Sequence, residues 1–244
     1  MGNHPDQLRQ AVRESVWREI EELGVADFPL PARGRIPNFK GAEEAARRLI
    51  SLPEAASARV VFVNPDSPQA PLRRMLLEKG VLVVVSTPRI SSGFILLDPR
   101  RIPRGLYHWA STIKGMVKLG EKVHPSALPR IDMFIAGSVA VNRMGARLGK
   151  GEGYSELEYG ILTHYDRLNE KTPIATTVHD IQVVDVDIPL KPWDFTVDIV
   201  ATPTRVLRRE GPLRRPRGIM CGLLDAGKLR EIGLLAEICR GDMA

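Results

Sequence analysis

The sequence predicts an open α/β fold, with a mainly parallel, Rossmann-like sheet and helices on both of its faces. Residues 59–86 read as strand, amphipathic helix and strand, a βαβ unit that requires parallel pairing and a right-handed crossover. Apolar runs and helix-compatible segments continue to alternate downstream of it. The apolar run 131–141 then feeds Arg147-Leu-Gly149-Lys150-Gly151-Glu-Gly153-Tyr154, the strand-to-loop-to-helix order with which α/β proteins hold phosphate groups. No Ser/Gly linker, repeat or low-complexity tract divides the chain, so residues 1–244 are expected to form one domain.

Each element has its own signal. Leu8, Val12, Val16, Ile20 and Leu23 recur at helical spacing and Gly24 ends the pattern, which predicts a helix over 7–23. Residues 28–41 carry closely set prolines and glycines and read as extended loop, followed by a short helix over 42–52. A buried strand is expected at 59–64, a helix at 71–79 and a strand with a β-branched run at 81–86. Residues 94–97 form a short strand and 107–119 a helix. The strand before the glycine loop spans 133–141 and the helix after it 157–169, with the last strands at 174–186 and 196–201. Asp225 caps a C-terminal helix ending at 239, whose apolar face (Leu229, Ile232, Leu235 or Ala236, Cys239) should dock on the core. In such sheets ligands gather at the carboxyl ends of the strands, where the loops 64–71, 86–93, 142–156 and 187–195 could converge.

A formal charge of +6 suits an anionic small molecule or nucleic acid, and charge alone does not separate them. Much of the excess lies late, in Arg205, Arg208, Arg209, Arg214, Arg215 and Arg217, where interrupting prolines suggest a solvated connection rather than an ordered basic groove. Cys221 and Cys239 are the two cysteines, with no CxxC and no paired spacing, which suits a reducing compartment and gives no zinc site. The N-terminus lacks the regions of a signal peptide and the apolar runs are about strand length. A soluble, cytoplasmic protein with no membrane span is expected.

The glycine loop narrows the chemistry. Three alternating glycines leave backbone N–H groups uncovered, and Arg147 and Lys150 set positive charge beside them. It is not a Walker loop, since Gly145 and Gly149 are one residue too close and Gly151 follows the lysine. Nor is it a Rossmann fingerprint, being GxGxG ending in an aromatic. A glycine-rich hairpin is the alternative to a phosphate loop. Arg9 and Arg13, four apart, share one face of the first helix, as solvated helix charges also do.

The segment from Gly145 to Tyr154 resembles the GxRLGxGxGYYD signature of the 5-formyltetrahydrofolate cyclo-ligases. Residues 131–140 look like that family's apolar strand and turn, and Lys191-Pro-Trp-Asp194-Phe-Thr-Val-Asp198-Ile-Val-Ala-Thr202-Pro203 is similar to its closing HDxxVDxIxT element. The N-terminal part, with Ala26-Asp-Phe28-Pro and Arg35-Ile-Pro37-Asn-Phe39-Lys40-Gly41, looks like the divergent synthetase-domain-containing branch, so the resemblance covers roughly residues 8–207.

That resemblance implies ATP- and Mg²⁺-dependent conversion of 5-formyltetrahydrofolate to 5,10-methenyltetrahydrofolate. ATP phosphorylates the formyl oxygen, a neighbouring amine of the substrate attacks, and phosphate departs. Substrate supplies both electrophile and nucleophile, so the protein must mainly position groups and neutralise charge. The implied catalytic residues are Arg147, expected to project into a solvent-filled cleft as a phosphate clamp, and Lys150. The ATP-binding set is Arg9, Arg13, Arg147, Gly149, Gly151, Gly153 and Tyr154, and the folate-binding set is Val61, Asp66 and Tyr154. Glu156 and Asp194 are the implied Mg²⁺ carboxylates, with Asp180 as a substitute. Two positions depart from the family pattern, Ser155 where the family has a second tyrosine and Asp66 where it has glutamate, and the nucleotide-side features match it more fully than the folate-side ones. A nucleotide- or RNA-binding regulator on the same scaffold, and an ATP-dependent ligase for another carbonyl substrate, are the alternatives; a monomer or homodimer is expected for each.

Overall fold

The centre of the molecule is the βαβ unit read from residues 59–86. In the computed structural model, which describes residues 5–241, β3 (Val60–Val63) and β4 (Leu82–Ser86) pair in parallel across α4 (Ala70–Glu78). Residues 1–4, on which part of the leader reading rested, lie outside the described residues. Ahead of this unit come α1 (Pro5–Glu22), the short antiparallel pair β1 (Ala26–Asp27) and β2 (Asn38–Phe39), α2 (Ala42–Ile50) and α3 (Pro53–Ala56). After it come β5 (Phe94–Leu97), α5 (Tyr107–Ala110), α6 (Ile113–Leu119), β6 (Glu121–Val123) and β7 (Met133–Ala136). A small hairpin, β8 (Ala140–Val141) with β9 (Arg147–Leu148), precedes α7 (Tyr154–His164). Then follow β10 (Ile174–Thr177), β11 (Ile199–Ala201), β12 (Val206–Arg208), α8 (Ala226–Glu231) and α9 (Gly233–Gly241).

The main sheet runs β12-β11-β10-β7-β3-β4-β5-β6. Its five inner strands, β11 to β4, are mutually parallel, and β12, β5 and β6 pair antiparallel at the edges. The fold is the mainly parallel α/β sheet that the sequence predicts. Alternate residues of β3 divide between its faces. Val61 and Val63 pack with Leu49, Leu72 and Leu76 from α2 and α4, while Val60 and Phe62 pack with Ile161, Leu235 and Ile238 from α7 and α9. Phe62 stacks on Phe134 at 4.5 Å between ring centroids. Strands are added on one side of β3 first and then, from β7 onward, on the other. That makes the β3–β7 crevice the switch point at which open sheets of this kind take ligands.

Several expected elements are cut shorter. The strand over 133–141 breaks after Ala136, because Gly137 and Ser138 turn away and Val139 pairs with Leu148 instead. The helix over 107–119 is two, since the Thr112 hydroxyl accepts from Gly115 N and restarts it as α6. The helix over 157–169 begins at Tyr154, behind the left-handed Gly153, and ends at His164. The strands over 174–186 and 196–201 reduce to Ile174–Thr177 and Ile199–Ala201. The C-terminal helix is broken at Ile232, whose backbone is extended, but Ile232, Leu235, Ile238 and Cys239 are buried as a docked face should be. Cys221 and Cys239 form a disulfide, so the reading of two unpaired thiols is corrected. Disulfides persist in oxidising compartments and in intracellular proteins of hyperthermophiles, and cysteine usage therefore does not point to a reducing one. Among the described residues no helix is long and apolar enough to cross a membrane.

Candidate active site

A cavity of about 540 Å³ lies between α1, the glycine loop, the first turns of α7, the 191–194 turn and the chain after residue 215. It brings together most of the residues singled out in the sequence. Arg9, Arg13, Gly149, Lys150, Gly151, Gly153, Glu156 and Asp194 all line it.

The spacing of Arg9 and Arg13 sets them on the face of α1 turned to the rest of the molecule, where both are buried. Each is held in place. Arg9 forks onto the Asp194 carboxylate and donates to Pro189 O at 2.8 Å. Asp194 also accepts from Lys191 N at 2.8 Å, closing the turn. Arg13 donates through Nε to Gly149 O at 2.7 Å, which ties α1 to the glycine loop. Burial, then the neighbouring Arg9 charge, pull the Arg13 pKa below its ordinary value, so an anion in the cavity would relieve the crowding.

The glycines have a steric reason. A Cβ on Gly149 would stand 2.9 Å from Arg147 Nη2, and one on Gly151 would stand 3.6 Å from Arg13 Cζ. Two guanidinium groups approach the loop because no side chains intervene. Gly151 and Gly153 also have φ of +106° and +77°, a region that L side chains rarely adopt.

Arg147 does not project into the cleft. It is 2 % exposed, with Nη1 paired to Glu156 Oε1 at 2.6 Å, Nη2 donating to Gly137 O at 3.2 Å, and Cζ lying 5.0 Å from the centre of the Phe195 ring. Its buried Nε has no hydrogen-bond partner among the described residues. The expected clamp is thus an internal support of the loop. Lys150 is at the cavity, paired with Glu152 at 2.8 Å.

Four further expectations are corrected. Val61 is 1 % exposed within the apolar core, because its position on β3 faces α2 and α4, and it does not line the cavity. Tyr154 turns to the C-terminal segment: the Lys228 Nζ lies 3.4 Å from its ring centre and its hydroxyl donates to Glu231 at 3.0 Å. Asp180 does not line the cavity and accepts from Thr202 and Thr204 instead. Asp194, engaged by Arg9 and Lys191, is a support for Arg9 rather than a free metal carboxylate. Glu156 borders the cavity, is itself paired with Arg147, and among the described residues no group of three or more His, Cys, Asp or Glu side chains is placed to hold a metal ion.

Asp66 lies at the switch point rather than in the cavity wall. A Cβ on Gly137 would come within 2.6 Å of its Oδ2. Burial pushes the Asp66 carboxyl up, opposed by the charges of Lys150, Arg73 and Arg147. Behind it is a network with no motif in the sequence. Asn64 Oδ1 accepts from Gly137 N and Ser155 Oγ, both at 2.8 Å, and its amide donates to Glu158, which Ser86 also contacts. Ser155 therefore serves to fasten the first turn of α7 to the end of β3. Glu158 is wholly buried, and burial foremost, with Asp66 and Glu156 nearby, pushes its carboxyl up to about 8.

The arginine-rich segment offers no basic groove among the described residues. Arg205 pairs with Asp180, Arg208 with Glu54, Arg209 and Arg215 with Asp198, and Arg217 with Asp166. Sequence reasoning also missed the cavity's apolar side, Trp193, Ile219, Met220, Leu223 and Leu224.

A family model described as the 5-formyltetrahydrofolate cyclo-ligase family matches residues 7–203. The chain is 37% identical over 233 residues to a methenyltetrahydrofolate synthase domain-containing protein of Mus musculus, covering 94% of this chain and 63% of that protein. It is 28% identical over 178 residues to the 5-formyltetrahydrofolate cyclo-ligase of Escherichia coli (strain K12), covering 67% of this chain and 88% of that one. The chain thus spans less than two thirds of the length of its synthase domain-containing relatives, 63% of the mouse protein and 61% of that of Bos taurus. The solved 5,10-methenyltetrahydrofolate synthetase of Aquifex aeolicus has the same fold, with a TM-score of 0.52 at 20% identity over 85% of this chain and 95% of that one.

Proposed function

The chain belongs to the 5-formyltetrahydrofolate cyclo-ligase family, and from that premise we propose that it converts 5-formyltetrahydrofolate to 5,10-methenyltetrahydrofolate with consumption of ATP. One observation carries the reading: two buried arginines of α1, Lys150 and the bare glycine loop converge on a single cavity.

The triphosphate lies against Arg9, Arg13 and the N–H groups of residues 149–153, at the N-terminus of α7. Asp194 and Gly149 O fix the two guanidinium groups in advance, so little reorganisation is needed when charge develops on the transferring phosphoryl group. Mg²⁺ bound with the triphosphate would be held by Glu156, directly or through water, and would supply further charge neutralisation. Arg147 orients Glu156 and supports the loop from beneath. The formyl oxygen takes the γ-phosphoryl group and ADP leaves, the neighbouring exocyclic amine of the substrate attacks the formyl carbon and gives up its proton to solvent, and the carbon–oxygen bond to phosphate breaks. Asp66, beside Lys150 at the switch point, is the proposed contact to the pterin.

The test is the absorbance of 5,10-methenyltetrahydrofolate formed from 5-formyltetrahydrofolate with ATP and Mg²⁺, then with each omitted in turn. ATP-dependent product is expected. No product from folded protein that binds ATP would reject the folate substrate and leave an ATP-dependent ligase for another carbonyl compound.

A further inference from the structure

The matched family region ends at residue 203, yet one whole wall of the cavity is built by the chain after it. Residues 216–228 contribute Ile219, Met220, Leu223 and Leu224 to a lining that also holds Trp193 and Leu157. This wall is docked, not draped. Gly218 N donates to Thr163 Oγ1 at 3.0 Å, and Arg215, just before it, anchors on Asp198. Gly160 on α7 is the point of closest approach, where a Cβ would lie 2.7 Å from both Gly218 O and Ile219 Cδ1. Cys221 is bonded to Cys239 on α9, and Lys228 covers Tyr154.

The cavity therefore has two kinds of lining: the cationic Arg9, Arg13 and Lys150, and the apolar Ile219, Met220, Leu223 and Leu224, with Asp225 and Lys228 beside them. Leu223 is 56 % exposed where it lines the cavity, an arrangement that leaves a large apolar surface to a ligand. A ligand with an anionic chain and a flat, largely apolar ring matches both kinds of lining.

We propose that residues 216–228 are a base-binding wall: they receive the purine ring of the nucleotide whose phosphates lie at Arg9, Arg13 and the glycine loop. The wall lies beyond the region that the family model matches, and Leu223 and Ile219 are its selecting residues. The proposal rests on the functional reading above, since it takes the cationic lining as the phosphate site.

Calorimetric titration of ATP and of inorganic tripolyphosphate into wild type and into Leu223→Ala, Ile219→Ala and Arg13→Ala separates the parts. Leu223→Ala removes an exposed side chain and leaves folding intact; circular dichroism checks Ile219→Ala. Trimming apolar contact to the ring should weaken ATP on the order of tenfold for each wall variant. Tripolyphosphate affinity should not change in the wall variants and should fall in Arg13→Ala, together with that of ATP. Equal ATP affinity in wild type and both wall variants would overturn the proposal while leaving the phosphate site standing. Loss of 5-formyltetrahydrofolate binding with ATP unaffected would also overturn it, assigning the wall to the pterin. A wild-type protein that binds tripolyphosphate no more weakly than ATP would remove the base contact altogether, and one that binds neither would remove the functional reading with it.

Discussion

Arg147 Nη1 donates to Glu156 Oε1 at 2.6 Å, joining the glycine loop to the first turn of α7 by an ion pair whose arginine side chain is 1% exposed. The pair unites two groups that the sequence suggested as separate parts of the site, a phosphate clamp and a metal ligand. Its position makes it a structural joint as well as a source of charge.

Arg147→Ala should therefore cost stability, not activity alone. Glu156, its side chain only 12% exposed, would be left without its partner, and breaking such a pair costs about 3 kcal/mol. Urea unfolding should show the loss, and Arg147→Ala combined with Glu156→Ala should recover part of it. Unchanged stability in the single variant would show that the pair is not a joint.

Gly149→Ala tests the same guanidinium from the other side. The added methyl group would meet Arg147 Nη2 at 2.9 Å in a backbone conformation open to alanine, so the side chain, not the loop, must move. A fall in turnover with a small change in stability is expected. Gly153→Ala should do the reverse, because no atom lies within 4 Å of the new methyl group but φ is +77°. That strain costs on the order of 1 kcal/mol. Paired denaturation and turnover measurements on the two variants give the contrast.

Much of this was legible in the residues. Val60–Val63 and Leu82–Ser86 are runs rich in valine flanking a helical period, and such patterns are legible because β-branched side chains fit a pleated, buried surface. Arg9 and Arg13 were legible as one face of a helix, and the loop through its glycines. The break at Gly137 was not, since an all-apolar run carries no mark of where its strand stops. Nor was the inward turn of Arg147, which depends on the gap left by Gly149 and on Glu156 nine positions along. The Cys221–Cys239 bond spans 18 residues and is set by how α9 docks. The wall after residue 215 is irregular chain held by distant partners such as Thr163 and Asp198, with no periodicity to read.

Glu158 makes stability depend on pH. Its folded pKa, about 8, lies above the ordinary 4.5, so the folded state holds the proton more tightly. The resulting stabilisation is complete below the unfolded value and is lost as pH rises toward 8. The slope is at most about 1.4 kcal/mol per pH unit for one such group, and Asp66, also raised by burial, acts in the same direction. Urea unfolding at several pH values across this window should show wild type losing stability, while Glu158→Gln, neutral throughout, should lose less. Parallel curves would mean that Glu158 is ionised in the folded protein.

The arginine-rich segment separates an architectural role from nucleic-acid binding. Arg215 has a side chain 5% exposed and reaches Asp198, which also accepts from Ile174 N at 2.9 Å. Arg217 has a side chain 77% exposed, and its pair with Asp166 is 65% exposed on the other partner. An exposed pair contributes roughly 0 to 1 kcal/mol, and removing one arm of a buried one costs several times that. Arg215→Ala should therefore lower the unfolding midpoint and loosen the cavity wall that begins at the next residue, whereas Arg217→Ala should leave both near wild type. If the segment instead gripped an RNA backbone, the exposed Arg217 would matter at least as much as Arg215, and retention on RNA would fall with added salt. Filter-binding to single-stranded RNA at low and high salt, run beside thermal unfolding on the two variants, decides between these. A loss of RNA retention in Arg217→Ala with unchanged stability would reinstate the nucleic-acid reading.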